Sequence, residues 1–173
     1  VANVYPEKSE VFPTGICLQL ATPVGSISFQ VSLLGRLNVM NLVAVVTALL
    51  ALEYSSAAIE RAMSTLRPVP GRMELVSESD APVHVVVDYA HTPAALEQAL
   101  DSLREHTTRR IWCVFGCGGE RDPGKRSEMG AIADRLANKI VLTNDNPRAE
   151  DPLRILGQIE SGIQSHKAVK IPD

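Results

Sequence analysis

The chain has 173 residues, 45% of them hydrophobic and 21% charged, with a formal net charge of -3. That is enough apolar material to bury a sizeable core, which argues against disorder. The weakly acidic balance, with no long run of one sign, provides no field for nucleic acid or an anionic membrane, so the expected partners are small molecules. The three cysteines Cys17, Cys113 and Cys117 are odd in number and lack paired metal-ligand spacing, which suits reduced thiols in a cytoplasmic protein and indicates no metal site.

Up to residue 35, short apolar runs (Ile16-Cys17-Leu18, Ile27-Ser28-Phe29, Val31 to Leu34) alternate with Pro and Gly breaks, which predicts short strands and turns. From Asn38 the pattern becomes helical and nearly apolar all round to Leu52. Its longest apolar stretch, Leu42 to Leu52, is shorter than the roughly 20 residues that cross a bilayer, so it reads as a buried helix. A second helix is expected behind a Ser56 cap, with Ile59, Ala62, Met63 and Leu66 on one face. The prolines of Arg67-Pro68-Val69-Pro70-Gly71 stop it, and a domain boundary is placed there, between 1–70 and 71–173.

Beyond Arg72 a β-rich run, a polar loop and an amphipathic helix follow one another three times. Val83 to Val87 leads into Asp88-Tyr89-Ala90-His91-Thr92-Pro93, where Thr92 can cap and Pro93 open a helix burying Leu96, Ala99, Leu100 and Leu103. Ile111 to Phe115 leads into Gly116 to Asp122 and a helix burying Met129, Ile132, Ala133 and Leu136. Ile140 to Leu142 leads into Thr143 to Arg148 and a helix opened by Asp151-Pro152, with Ile155, Leu156, Ile159 and Ile163 inward. This alternation predicts an α/β fold with a mainly parallel sheet covered by helices. Ligands of such sheets bind beyond the carboxyl ends of the strands, where all three polar loops are expected to converge. The chain does not begin with Met and stops just after a strand-like Ala168 to Ile171, so it is expected to be a piece of a longer protein.

Asp145-Asn146-Pro147-Arg148 places a carboxylate, an amide and a guanidinium on a short loop stiffened by Pro. Arg pairs bidentately with a carboxylate and Asp accepts from an ammonium group, so the set can hold an amino acid. Taken alone, a turn with a helix-start Asp and a solvated Arg accounts for it better. Gly118-Gly119-Glu120-Arg121-Asp122 adds a second guanidinium at the neighbouring strand end, with glycines that permit close backbone approach, although a flexible loop of mixed charge explains it equally. The same segment nearly matches a P-loop through Gly119, Gly124 and Lys125. It fails where Arg126 replaces the Ser or Thr that would bind magnesium, and Glu120 and Asp122 put negative charge where phosphates would sit. The dinucleotide fingerprint fails too, because Arg121 takes the place of its third glycine.

Asp88 can hold ribose hydroxyls and His91 a base or sugar, or they can be a helix-start carboxylate and a surface imidazole. Arg72 can reach a phosphate or remain solvated. Asn38 and Asn41 head an otherwise apolar helix, where buried amides need partners, although Asn38 alone fits an N-cap.

Gly35-Arg36-Leu37-Asn38-Val39-Met40-Asn41, Pro70-Gly71-Arg72-Met73-Glu74, Asp88 to Pro93, Phe115 to Arg126 and Asp145 to Arg148, in this order and spacing, resemble the Mur ligases, most closely their diaminopimelate-adding members. The resemblance spans residues 30 to 165. It implies an ATP-dependent ligase in which a P-loop-type central domain, here represented by its end, precedes a Rossmann-like C-terminal domain. The implied reaction phosphorylates the D-glutamyl carboxylate of UDP-N-acetylmuramoyl-L-alanyl-D-glutamate with ATP and Mg2+, and the amine of meso-2,6-diaminopimelate then attacks the acyl phosphate. On this resemblance Asn38 and Asn41 meet adenine, Asp88 the ribose, His91 the nucleotide and Arg72 the ATP phosphates as a catalytic arginine. Arg121, Asp145, Asn146 and Arg148 form the diaminopimelate pocket.

The family's P-loop, its carbamylated lysine and magnesium ligands, and its Gly-Lys-Gly-His-Glu segment are absent from this chain, and Leu37 stands where many Mur ligases have His. Alone, the chain is expected not to turn over, and magnesium is expected to be held outside it. The alternatives are another Mur-like ligase, of the cyanophycin synthetase type, and a Mur-like protein retained as a structural component.

Overall fold

The structure is a computed structural model that describes residues 3–78, 80–165 and 168–172. It divides into two compact units, one of residues up to Tyr89 with Glu105–Thr107, the other of Ala90–Arg104 and the residues from Thr108 onward.

In the first unit, β1 (Tyr5–Phe12), β2 (Gly15–Thr22) and β3 (Gly25–Val31) form an antiparallel meander. Its register sets Val11 opposite Ile16 and Leu18 opposite Phe29. Alternation along β2 and β3 sends Ile16, Leu18, Leu20, Ile27, Phe29 and Val31 inward. They pack with Val39, Leu42, Val43 and Val46 of α1 (Leu37–Ala51) and with Ile59 and Met63 of α2 (Ser56–Ser64) in one core.

Two expectations are corrected here. The cap of α2 is Ser55, whose side chain accepts from the Ala58 amide, and not Ser56. α1 is not buried all round: a single stripe faces the core, while Leu37, Met40, Val45 and, just past its end, Leu52 are exposed. Of the second helix's predicted face, Ile59 and Met63 are buried but Ala62 is exposed.

Beyond Pro68 and Pro70 lie β4 (Glu74–Leu75) and β5 (Val86–Val87), paired antiparallel in a sheet of their own. The run Val83 to Val87 therefore does not supply the first strand of the parallel sheet. Val83, Val85 and Val87 are exposed, and β-branched composition alone did not specify the strand's partner.

In the second unit, α3 (Pro93–His106) starts as expected, with the Thr92 hydroxyl accepting from the Ala95 amide. β6 (Trp112–Phe115), α4 (Gly124–Leu136), β7 (Lys139–Leu142), α5 (Pro152–Glu160) and β8 (Ala168–Lys170) then give a three-stranded parallel sheet in the order β6-β7-β8. Asp151 caps α5 by accepting from the Leu153 amide, with Pro152 in the first turn where its missing N–H costs nothing. One sheet face carries Cys113, Ile140 and Leu142 into a core with Leu96, Leu100, Met129, Ala133, Ile155, Leu156 and Ile159. On the other, Trp112, Val114 and Val169 are exposed.

α4 and α5 pack at glycine contacts. A Cβ on Gly130 would lie 2.1 Å from the Ile159 carbonyl oxygen. Ala inside a helix ordinarily gains about 1 kcal/mol over Gly. Here overpacking reverses the sign, so Gly130→Ala is expected to destabilise by about 1–3 kcal/mol. Urea unfolding followed by circular dichroism measures this, and a more stable variant would contradict the contact.

Candidate functional site

The loops that follow β6 and β7 meet at the carboxyl end of the parallel sheet, and their backbones touch. The Gly119 amide donates to the Asn146 carbonyl at 3.1 Å, and the Thr143 amide to the Phe115 carbonyl at 3.1 Å. A Cβ on Gly116 would fall 2.2 Å from the Thr143 oxygen, and one on Gly119 would fall 1.9 Å from the Pro147 oxygen. Close approach is thus what these glycines serve, and the surface approached is the Asp145–Arg148 loop.

Around Gly118 the two predicted arginines come together. A Cβ there would lie 3.1 Å from Arg148 Nη1 and 3.9 Å from Arg121 Cγ. Arg148 Nη1 donates to the Gly119 carbonyl at 2.5 Å, which anchors the guanidinium on the opposite loop and leaves its other N–H groups for a ligand. Arg121 and Asp145 are exposed, and neither side chain makes a hydrogen bond or ion pair among the described residues.

Asn146 (φ 41°) and Arg148 (φ 51°) both adopt the left-handed region, as does Glu120 (φ 53°) on the facing loop. For non-glycine residues this conformation costs of order 1–3 kcal/mol each, and it persists only where surrounding contacts impose it. A shallow crevice lies beside the loop, lined by Cys117, Thr143, Asp145, Pro147, Ile155 and Leu156 among others.

Behind the two loops lies a group that the sequence marked only as a failed P-loop position. Arg126, 1% exposed, lies in the buried stripe of α4 with Met129, Gly130 and Ala133. Its Nη1 donates to Glu150 Oε2 at 2.8 Å and to Gln158 Oε1 at 2.5 Å. Its Nη2 donates to Glu150 Oε1 at 2.9 Å and to the Gly118 carbonyl at 3.2 Å. Only Nε finds no partner among the described residues. Glu150 Oε1 also accepts from the Glu120 amide at 2.5 Å, and the Glu150 amide donates to the Pro147 carbonyl at 3.0 Å. The available signal was a charged residue at helical spacing within an apolar stripe.

Phosphate chemistry at this loop is disfavoured further, because the Gly124 amide at the start of α4 already donates to Asp122 Oδ1 at 2.8 Å. Burial raises the Cys117 thiol pKa, partly opposed by Lys125 and Arg126, and pushes Cys113 up to about 11, so neither is a ready nucleophile.

The remaining candidates lie elsewhere. Asn38 is the second residue of α1, and the cap position belongs to Arg36, so the N-cap alternative does not hold. Its Nδ2 donates to the Leu34 carbonyl at 2.7 Å, while its Oδ1 accepts from Asn41 Nδ2 at 3.2 Å. The Arg72 guanidinium sits 4.5 Å from the centre of the Tyr89 ring, a cation–π contact. Beside it Asp88 Oδ2 accepts from the Met73 amide at 2.9 Å. In the second unit the His91 carbonyl accepts from Lys125 Nζ at 2.8 Å. Three loops after strands of one sheet were expected; two follow strands of the parallel sheet, while the Asp88 loop follows β5 of the separate two-stranded sheet and meets the start of α4 through the His91 carbonyl.

Residues 71–173 match the Mur ligase, glutamate ligase domain family. The chain belongs to the Mur ligases. It is 45% identical over 173 residues to the UDP-N-acetylmuramoyl-L-alanyl-D-glutamate–2,6-diaminopimelate ligase of Coxiella burnetii, covering 99% of this chain and 35% of that protein. The ligase of the same name from Gloeobacter violaceus is 48% identical over 162 residues, covering 94% and 33%. A solved structure of a ligase with this name superposes with a TM-score of 0.73 at 38% identity, covering 98% of this chain and 35% of that one. The folylpolyglutamate synthase of Mycobacterium tuberculosis, solved with ADP, shares the fold at a TM-score of 0.75 and 19% identity, covering 98% and 38%. This Mur ligase chain spans about a third of the length of the curated relatives it matches.

The Arg126 guanidinium, followed by the Glu120 amide, holds the Glu150 carboxyl at about 2, below its usual 4.5. A depressed carboxylate contributes stability that is present above its unfolded value and is lost as pH falls through its folded one. The gap in melting temperature between wild type and Glu150→Gln should therefore be constant near neutrality and close between about pH 4.5 and 2. A gap that is the same at pH 7 and pH 2.5 would count against the pair.

Proposed function

We propose that the full-length protein joins meso-2,6-diaminopimelate to UDP-N-acetylmuramoyl-L-alanyl-D-glutamate in the cytoplasm, driven by ATP cleavage, as a step of peptidoglycan synthesis. The observation that carries this reading is the pair Arg121 and Arg148 flanking Gly118, with Asp145 on the same two loops. The names of the relatives at 45% and 48% identity support it.

Diaminopimelate has two carboxylates and two amines. Two guanidiniums and a carboxylate can grip the end that does not react: an arginine takes the carboxylate, Asp145 takes the ammonium, and Asn146 supplies an amide. Held by that end, the other amine is aimed at the acyl phosphate formed when the γ-phosphoryl group passes to the D-glutamyl carboxylate. The amine nitrogen bonds to the acyl carbon, phosphate leaves with the former carboxylate oxygen, and the amine loses a proton. Holding the nucleophile in line is this chain's contribution to the rate.

Asn38 and Asn41 are assigned to adenine, Asp88 to the ribose, His91 to the nucleotide and Arg72 to the ATP phosphates. Asn41 has its carbonyl oxygen and Asp88 its Oδ1 for this work, since the contacts to Asn38 and to the Met73 amide use the other atom of each. Residues 1–70 are assigned to the end of the central ATP-binding domain and 71–173 to the C-terminal domain, a division supported by the family match beginning at residue 71. Magnesium is assigned, on the family resemblance, to ligands outside this chain; among the described residues no three His, Cys, Asp or Glu groups lie close enough to hold a metal ion.

Arg148→Ala in the full-length ligase should lower kcat/KM for diaminopimelate by about 10- to 100-fold, the worth of a hydrogen-bonded charge pair. L-Lysine, which would leave Arg148 without its carboxylate, should be poorer than diaminopimelate by about 100-fold or more. Steady-state amide-formation assays with each acceptor check both, and equal use of lysine would sink the specificity.

A further inference from the structure

We propose that Arg126 and Glu150 are positioning residues for the amino-acid substrate, their buried ion pair setting the separation and aim of Arg121 and Arg148. The ligand's identity rests on the diaminopimelate reading above.

Glu150 meets the residue before each recognition arginine, on one side through its carboxylate and on the other through its backbone amide. Glu150 Oε1 holds the amide of Glu120, which precedes Arg121, and the Glu150 amide holds the carbonyl of Pro147, which precedes Arg148. Arg126 grips that carboxylate with two N–H groups, takes the Gly118 carbonyl between the two arginines, and is itself braced on α5 through Gln158. Each left-handed residue of the two loops, Glu120, Asn146 and Arg148, lies within this set of bonds or next to it.

Arg126 is 1% exposed, so it acts on a ligand through the loops and not by touch. Pro147 restricts its own φ but cannot tie one loop to the other. The ion pair can. An Arg–carboxylate fork is rigid in direction as well as distance, which is what a support for a recognition group requires.

The test uses the full-length ligase and three variants, Glu150→Gln, Arg148→Ala and the double. Glu150→Gln preserves shape and one acceptor oxygen while removing the charge. The expected result is a rise of about tenfold in KM for diaminopimelate, the effect of weakening a charge-assisted fork, with KM for ATP and the UDP-linked substrate changed by less than about twofold. If Glu150 works through Arg148, the double variant falls short of the product of the single effects by about threefold or more. Multiplicative effects, or an equal rise in all three KM values, would overturn the inference.

The two claims fail separately. If Arg148→Ala leaves the diaminopimelate KM unchanged, the ligand reading is wrong and this inference falls with it. If Arg148→Ala raises that KM and Glu150→Gln does not, the inference alone is overturned. Should thermal denaturation show that Glu150→Gln does not fold, Gln158→Leu, which removes another partner of the same guanidinium, goes through the same cycle with the same criteria.

Discussion

A guanidinium taken out of water must find its charge and its hydrogen bonds inside the protein, and that demand on Arg126 organises the functional end of the second unit. Four N–H contacts meet all of it but the Nε donor, and they reach a loop backbone, the carboxylate of a second loop and a side chain of α5. The elements that must come together to solvate one buried charge are the same elements that carry the exposed ligand set. On the proposed reading, stability and recognition are therefore joined at one side chain.

The glycines and the strained residues are two sides of this arrangement. Gly116 and Gly119 let the loops approach to distances that any side chain would prevent, while Asn146 and Arg148 sit in conformations that only a crowded, over-determined loop retains. Each contributes to presenting a small number of polar groups at fixed spacing, which lowers the ordering cost of binding. Such a surface would select by the pattern of charges on a ligand more than by enclosure.

Much of this was legible in the sequence because it is local. The caps Thr92 and Asp151, the burial of Leu96, Leu100, Met129 and Ala133, and the strands at Ile111 to Phe115 and Ile140 to Leu142 follow from periodicity and turn chemistry, and they appear where expected. The Asp145–Arg148 loop was legible as a stiff polar loop before a helix, but its left-handed residues were not, since φ depends on contacts with residues far along the chain. The failures are non-local too. Val83 to Val87 has strand composition, but composition does not name a partner, and two of its residues pair antiparallel with Glu74–Leu75. The helix through Leu42 to Leu52 has an apolar surface all round, yet only one stripe finds a partner here. Arg126 was compared with a motif it does not fit, when the informative fact was its place in a buried helical stripe.

The buried pair also bears on how such a sequence can drift. Losing Glu150 would leave a guanidinium in the interior with only the Gln158 and Gly118 oxygens, whereas losing Arg126 would leave a partly exposed carboxylate that keeps the Glu120 amide. A change at position 150 alone therefore meets a barrier. Arg121 and Asp145, which face solvent, have no such barrier and can be exchanged one at a time. In descent, the charge pattern at the surface of the two loops is freer to change than the guanidinium and carboxylate beneath it.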